Sequence, residues 1–469
     1  MRLRATTTIA AGALAAGALA LAGLSGPTAT GAAPRATVII HPGVQHVGRS
    51  SAQPPTTADC ESAFHVACYQ PLQVQQAYDL PALYARGVSG KGATIVIVDS
   101  FGSPTITSDL TTFDQAFGLP RPSSFKIIHP VGAVPRFNPG NATMVSWAGE
   151  TTLDVEYAHA IAPGASILLV ETPVAETEGV TGFPQIIRAE KYVIDHHLGD
   201  VISQSFSATE PTFPSRASLN SLRDAYTDAD RQHVTVLAAS GDDGATDVGL
   251  NGQTFYTRAV TSWPDSDPLV TAVGGTQLHL ATNGSRTSPD TVWNDTFSVP
   301  AQQFINGDNG PSPLAAGGGK SIWFTRPAYQ NPVHQVVGRS RGVPDISMSA
   351  ACNGSVDVYQ SFAGQPAGWY PTCGTSEATP LFAGIVALAD QMAGHSLGLI
   401  NPALYQLASR KAPGLVDVTS GSNTVSFTQG GHSHTVRGFS AAPGYDLASG
   451  LGTVNAALFV PELAALAGR

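Results

Sequence analysis

At 469 residues the chain can bury a large core, enough for one big α/β domain or roughly two to three average ones. Its formal net charge is −10 and it has no Lys/Arg-rich run, which excludes the basic footprint of a nucleic-acid binder. Only 12% of residues are charged while Gly (49) and Pro (34) are plentiful, so a compact, loop-rich protein with few ion pairs is expected.

Residues 1–33 read as an export signal: Arg2 and Arg4 precede an apolar run from about Thr8 to Leu24, and small residues follow at Thr30-Gly31-Ala32. The run is short, Ala-dominated and soon followed by Pro34, which favours a cleaved signal over a membrane anchor. From 34 to about 57 the chain is rich in Pro, Ser, Thr and Ala without periodicity, and residues 34–68 are expected to be a short leader or remnant prosegment. The folded domain is expected over 69–469. Four continuous apolar runs, Ala93–Val98, Ser166–Val170, Val201–Ser203 and Val234–Ala239, are separated by helix-length segments. Such runs suit strands covered on both faces, so the predicted class is α/β, with a largely parallel central sheet flanked by helices on both faces. Helical spacing runs from Trp147 to the Pro163-Gly164 stop, and the Gly/Pro/Asn/Gln-rich stretch Pro300–Lys320 is expected to be a long surface loop.

Export implies oxidising surroundings, where Cys60, Cys68, Cys352 and Cys373 could pair in three ways. Proximity in sequence favours Cys60–Cys68 and Cys352–Cys373. No Cys-x-x-Cys or clustered His spacing supports zinc.

Three segments could carry chemistry. In Cys373-Gly374-Thr375-Ser376 a small-residue turn delivers a serine to the start of an apolar helix, where glycine permits close backbone approach and the amide end favours negative charge. A helix N-cap serine is the alternative. A nucleophilic serine needs a base, and no histidine set suggests one. Instead Glu150 and Asp154, four apart, project from one helix face, where adjacent carboxyls tend to share a proton. Ordinary complements to the helix dipole are the plain alternative. Asp242 follows the fourth apolar run, at the carboxyl end of a strand, where a turn aspartate is equally natural.

Together these segments resemble the sedolisin family of serine-carboxyl peptidases, which have a subtilisin-like fold. The resemblance runs from about Tyr69 onward and includes Val273-Gly274-Gly275-Thr276, Gly317-Gly318-Gly319 and Arg341-Gly342-Val343-Pro344-Asp345. It implies a secreted endopeptidase in which Ser376 is the nucleophile, Glu150 the general base, Asp154 its orienting partner and Asp242 the oxyanion stabiliser. Asp99 looks like the family's further acid behind this set. The resemblance also implies one structural calcium ion, held by the side chains of Asp417 and Asp446 and carbonyls of Val418, Ala442 and Gly444. Partners would be protein or peptide substrates, with no nucleic acid and no membrane after signal removal, and the enzyme would act as a monomer. Because an aspartate stabilises an oxyanion only when protonated, hydrolysis is expected to peak at about pH 3–5. Three departures stand out: the leader is short for a family with long propeptides, Phe206 stands where tryptophan is frequent, and Ala442 replaces a frequent glycine. A Ser-His-Asp subtilase and a peptide-binding pseudoenzyme are the rival readings.

Overall fold

The computed structural model describes residues 45–46, 50–306 and 310–467; the expected signal, 1–33, lies outside the described residues. Its centre is an eight-stranded sheet: β1 (Thr94–Ser100), β2 (Phe125–Ile128), β3 (Ser166–Thr172), β4 (Val201–Gln204), β5 (Thr235–Ala239), β6 (Thr271–Gln277), β7 (Thr291–Val292) and β8 (Ile346–Ser349). The order is β7-β6-β5-β4-β1-β3-β2, with β8 also pairing β6. All pairs are parallel except β6 with β7. The four apolar runs became β1, β3, β4 and β5. Their Val, Ile and Leu side chains are buried on both faces, as parallel strands between helix layers require.

One face is covered by α1 (Ile106–Phe117), α2 (Ala142–Ile161) and α5 (Thr375–Ala393), and the other by α3 (Phe183–Asp195) and α4 (Asp224–Gln232). Asn141 caps α2 by accepting from the Met144 amide at 3.2 Å, and the helix stops just before Pro163. Helices α2 and α5 pack directly together: a Cβ at Gly384 would meet Ile161 Cβ at 2.6 Å, so a missing side chain allows this close approach.

A smaller sheet contains β9 (Ser355–Gln360) and β10 (Gly368–Cys373), which are antiparallel. The described part of the segment 34–68, expected as a leader, docks here. Gln45–His46 pairs antiparallel with Cys373 and Thr372, Ser51 bridges Trp369, and Cys68–Tyr69 runs parallel to β9. This segment also contains a helix, Thr57–Phe64, capped by Thr56 in a box with Asp59 and tied by the Cys60–Cys68 disulfide. Cys352–Cys373 is the second disulfide.

The expected surface loop Pro300–Lys320 is corrected in part. Val299–Asn306 is a helix, with Pro300 in its first turn where a missing N–H costs nothing. Leu314 to Gly319 are buried, and a Cβ at Gly317 would lie 1.8 Å from the Ser240 carbonyl oxygen. Glycines that signal a loop are used here for backbone packing against the Ser240-Gly241 turn. Among the described residues no helix is long and apolar enough to cross a membrane.

Candidate active site

Ser376 stands at the second residue of α5, at the carboxyl-end edge of the sheet. It is not the N-cap, a position held by Gly374. Gly374 has φ 130°, a backbone conformation that favours glycine. The turn is fastened on one side: Gly374 N–H donates to the Ala350 carbonyl at 2.8 Å, and Cys373 is bonded to Cys352. Pro380 sits four residues after Ser376 and has no N–H, so the Ser376 carbonyl lacks the usual helical donor. Ser205 Oγ lies 3.4 Å from that oxygen and donates to Asp154 Oδ1 at 2.9 Å. One hydroxyl at the end of β4 thus joins the Ser376 backbone to the carboxyl helix.

Glu150 and Asp154 are fully buried on α2, inside the face that packs on α5. Burial pushes the Asp154 pKa well up, and the nearby charges of Asp99 and then Glu150 push it the same way. Asp99, near the end of β1, is raised to about 7 by burial, with Thr151 opposing and Glu171 adding to the rise. Three carboxyls so crowded cannot all ionise cheaply, and such a set holds protons in acid. The histidine of this helix, His159, lies about 14 Å further along the axis from Glu150. It is committed to the Pro120 carbonyl at 2.7 Å and Asp114 at 3.1 Å.

Asp242, after β5, reaches the residue beside Ser376: its Oδ1 accepts from the Thr375 amide and hydroxyl, each at 2.7 Å. Thr375 Oγ1 also accepts from Gly241 N–H at 3.2 Å, closing the two turns on each other. Burial raises Asp242 to about 6, opposed by the Thr375 donors and aided by Asp247.

Several groups escaped sequence reasoning. Ser205 was legible only as the neighbour of Phe206, and Thr375 only as part of a turn. Glu377, buried directly after Ser376, is pushed well up by burial. Phe206 packs edge-on to Trp147 with ring centroids 6.5 Å apart, so a tryptophan from α2 stands beside the site. A cavity of about 870 Å³ lined by His233, Leu397, Gln406 and Arg410 contains none of these residues.

Both expected metal-binding carboxylates meet the 442–444 turn. Gly444 N–H donates to Asp417 Oδ2 at 2.8 Å, and Ala442 N–H to Asp446 Oδ2 at 3.0 Å. Asp446 Oδ1 accepts from the Ala448 and Ser449 amides, which fixes its carboxylate in the turn. Two carboxylates beside turn carbonyls form a hard oxygen set suited to calcium.

The Subtilase family matches residues 140–431, a span holding Glu150, Asp154, Asp242 and Ser376. The chain belongs to the subtilase family. Within it, this subtilase is similar to kumamolisin of Bacillus sp. (strain MN-32), 31% identical over 82% of this chain and 62% of that protein. It is 28% identical to sedolisin of Pseudomonas sp. (strain 101), over 81% of this chain and 59% of that protein. Against tripeptidyl-peptidase 1 of Rattus norvegicus it is 28% identical over 74% of this chain and 56% of that protein. The chain therefore spans less than two thirds of these relatives' lengths. The solved structure of Pseudomonas sedolisin, a serine-carboxyl proteinase complexed with two molecules of pseudo-iodotyrostatin, covers 85% of this chain and 99% of that one, with a TM-score of 0.67 and 24% identity. This subtilase shares that fold.

Proposed function

We propose that the chain is a serine-carboxyl endopeptidase that hydrolyses peptide bonds in proteins in acid. The reading rests on one observation above all: Asp242 is bonded to the residue preceding Ser376 while Ser205 links Asp154 to Ser376 itself. A hydroxyl, a paired acid and a neutral acid then serve one reacting carbonyl.

In this mechanism Glu150 accepts the Ser376 Oγ proton as the oxygen attacks the substrate carbonyl. Protonated Asp242 donates to the oxyanion as charge develops; an ionised aspartate would repel it. Glu150 returns the proton to the leaving amine, then activates water against the acyl-enzyme. Asp154, held by Ser205, orients Glu150 and shares its proton. A pKa of about 6 keeps Asp242 protonated throughout the acid range, which supports activity at about pH 3–5.

Calcium, when bound, would supply a structural charge clamp, held by Asp417 and Asp446 with carbonyls of Val418, Ala442 and Gly444. Secretion is part of the same reading, and two disulfides with no free cysteine among the described residues suit an oxidising compartment. The test is a pH-rate profile on a denatured protein substrate for the intact protein, Ser376→Ala and Glu150→Gln. Loss of hydrolysis in both variants is expected, and equal hydrolysis by all three would remove the mechanism.

A further inference from the structure

The carboxyl set does not end at Asp99. On β3, Glu171 is the register partner of Asp99, so the two side chains leave the sheet on the same face, the one covered by α2. Glu171 Oε2 lies 2.7 Å from His129 Nε2, on the residue that follows β2. The Glu171 side chain is 10% exposed and that of His129 is 44% exposed, so the pair bridges the interior and solvent. Gly102, just after β1, makes room for it: a Cβ there would lie 1.8 Å from Glu171 Oε1.

We propose that Glu171 and His129 are positioning residues forming the solvent-side end of a charge chain, Glu150, Asp154, Asp99, Glu171, His129, that sets the protonation of the catalytic carboxyls. The proposal rests on the peptidase reading above. Burial pushes the Glu171 carboxyl up, and the facing imidazole opposes that rise and so favours the carboxylate beside Asp99. The groups facing Glu171 are Asp99 from β1 and His129 following β2, and Asp154 of α2 in turn adjoins Asp99 and Glu150. Asp109 of α1 is turned away to Ser361 and Thr105, Lys126 of β2 is exposed, and Glu176, beyond β3, adjoins Glu178, Asp247 and Glu150 at the far end of the chain from Glu171. His129 is therefore the cation of this chain.

Removing either partner leaves the opposite residual charge, which gives a signature that structural loosening would not. Glu171→Gln leaves an unpaired cation, favours ionised Asp99 and moves the pH profile of kcat/KM down. His129→Gln leaves an unpaired carboxylate and moves it up. Each displacement should be about 0.5 pH unit for one charge screened at a partly exposed site, and the double variant should return near the starting profile. Thermal melts identify folded variants; His129 is exposed enough that its variant tests the idea even if Glu171→Gln fails to fold. Displacements in the same direction, or an unmoved profile for His129→Gln, would overturn the proposal while hydrolysis abolished by Ser376→Ala left the peptidase reading standing. Hydrolysis that survives Ser376→Ala would instead sink that reading.

Discussion

The sharpest expectation concerns Asp242→Asn. Asp242 Oδ1 accepts two hydrogen bonds from Thr375, and an asparagine carbonyl can accept both, leaving its amide where the protonated oxygen would donate. With a pKa of about 6, the native acid is about 99% protonated at pH 4 but only about 10% at pH 7, so this group alone should cut kcat/KM about tenfold between them. Asparagine donates at every pH and cannot ionise. The variant should therefore lose the fall centred near pH 6 while keeping activity well above Asp242→Ala, which lacks any donor and should fall about 100- to 1,000-fold. The assay is initial-rate hydrolysis of a quenched peptide from about pH 3 to 8, with melts at each pH to confirm folding. An Asp242→Asn profile with the same limb near pH 6, or activity equal to that of Asp242→Ala, would refute the role of a neutral donor.

Ser205→Ala removes the donor to buried Asp154 and the group facing the Ser376 carbonyl; a loss of about 1–3 kcal/mol, or roughly 5- to 150-fold in kcat, is expected with little change in KM. Stability should fall as pH rises: Asp99 and Asp242 hold their protons more tightly folded than unfolded, so their contribution is complete below about pH 4 and lost through about 6 and 7. Denaturant titrations at pH 4 and 8 should differ by several kcal/mol, and a protein more stable at pH 8 would contradict the buried-acid picture. Chelation should lower the Tm, since a ligand at 100 times its Kd contributes about 2.7 kcal/mol, and Asp446→Asn should abolish the response; an unchanged Tm on chelation speaks against calcium.

Sequence alone determined the elements whose signal is local. Continuous Val/Ile/Leu runs specify strands buried on two faces, and they lie within two residues of β1, β3, β4 and β5. The four-residue spacing of Glu150 and Asp154 specifies a shared helix face, and closeness in sequence anticipates both disulfides. Tertiary structure decided what depends on distant partners. Asp242 meets Thr375 across 133 residues and Ser205 meets Asp154 across 51, and no local pattern encodes those contacts. The same holds for Glu171, whose importance depends on a strand register and on the space left by Gly102, and for the glycines at 317 and 318, which signal a loop but serve backbone packing. Side-chain periodicity is set within one element, whereas the environment that decides a carboxyl's charge is assembled from several, so the identity of the acids could be read along the chain but their proton affinities could not.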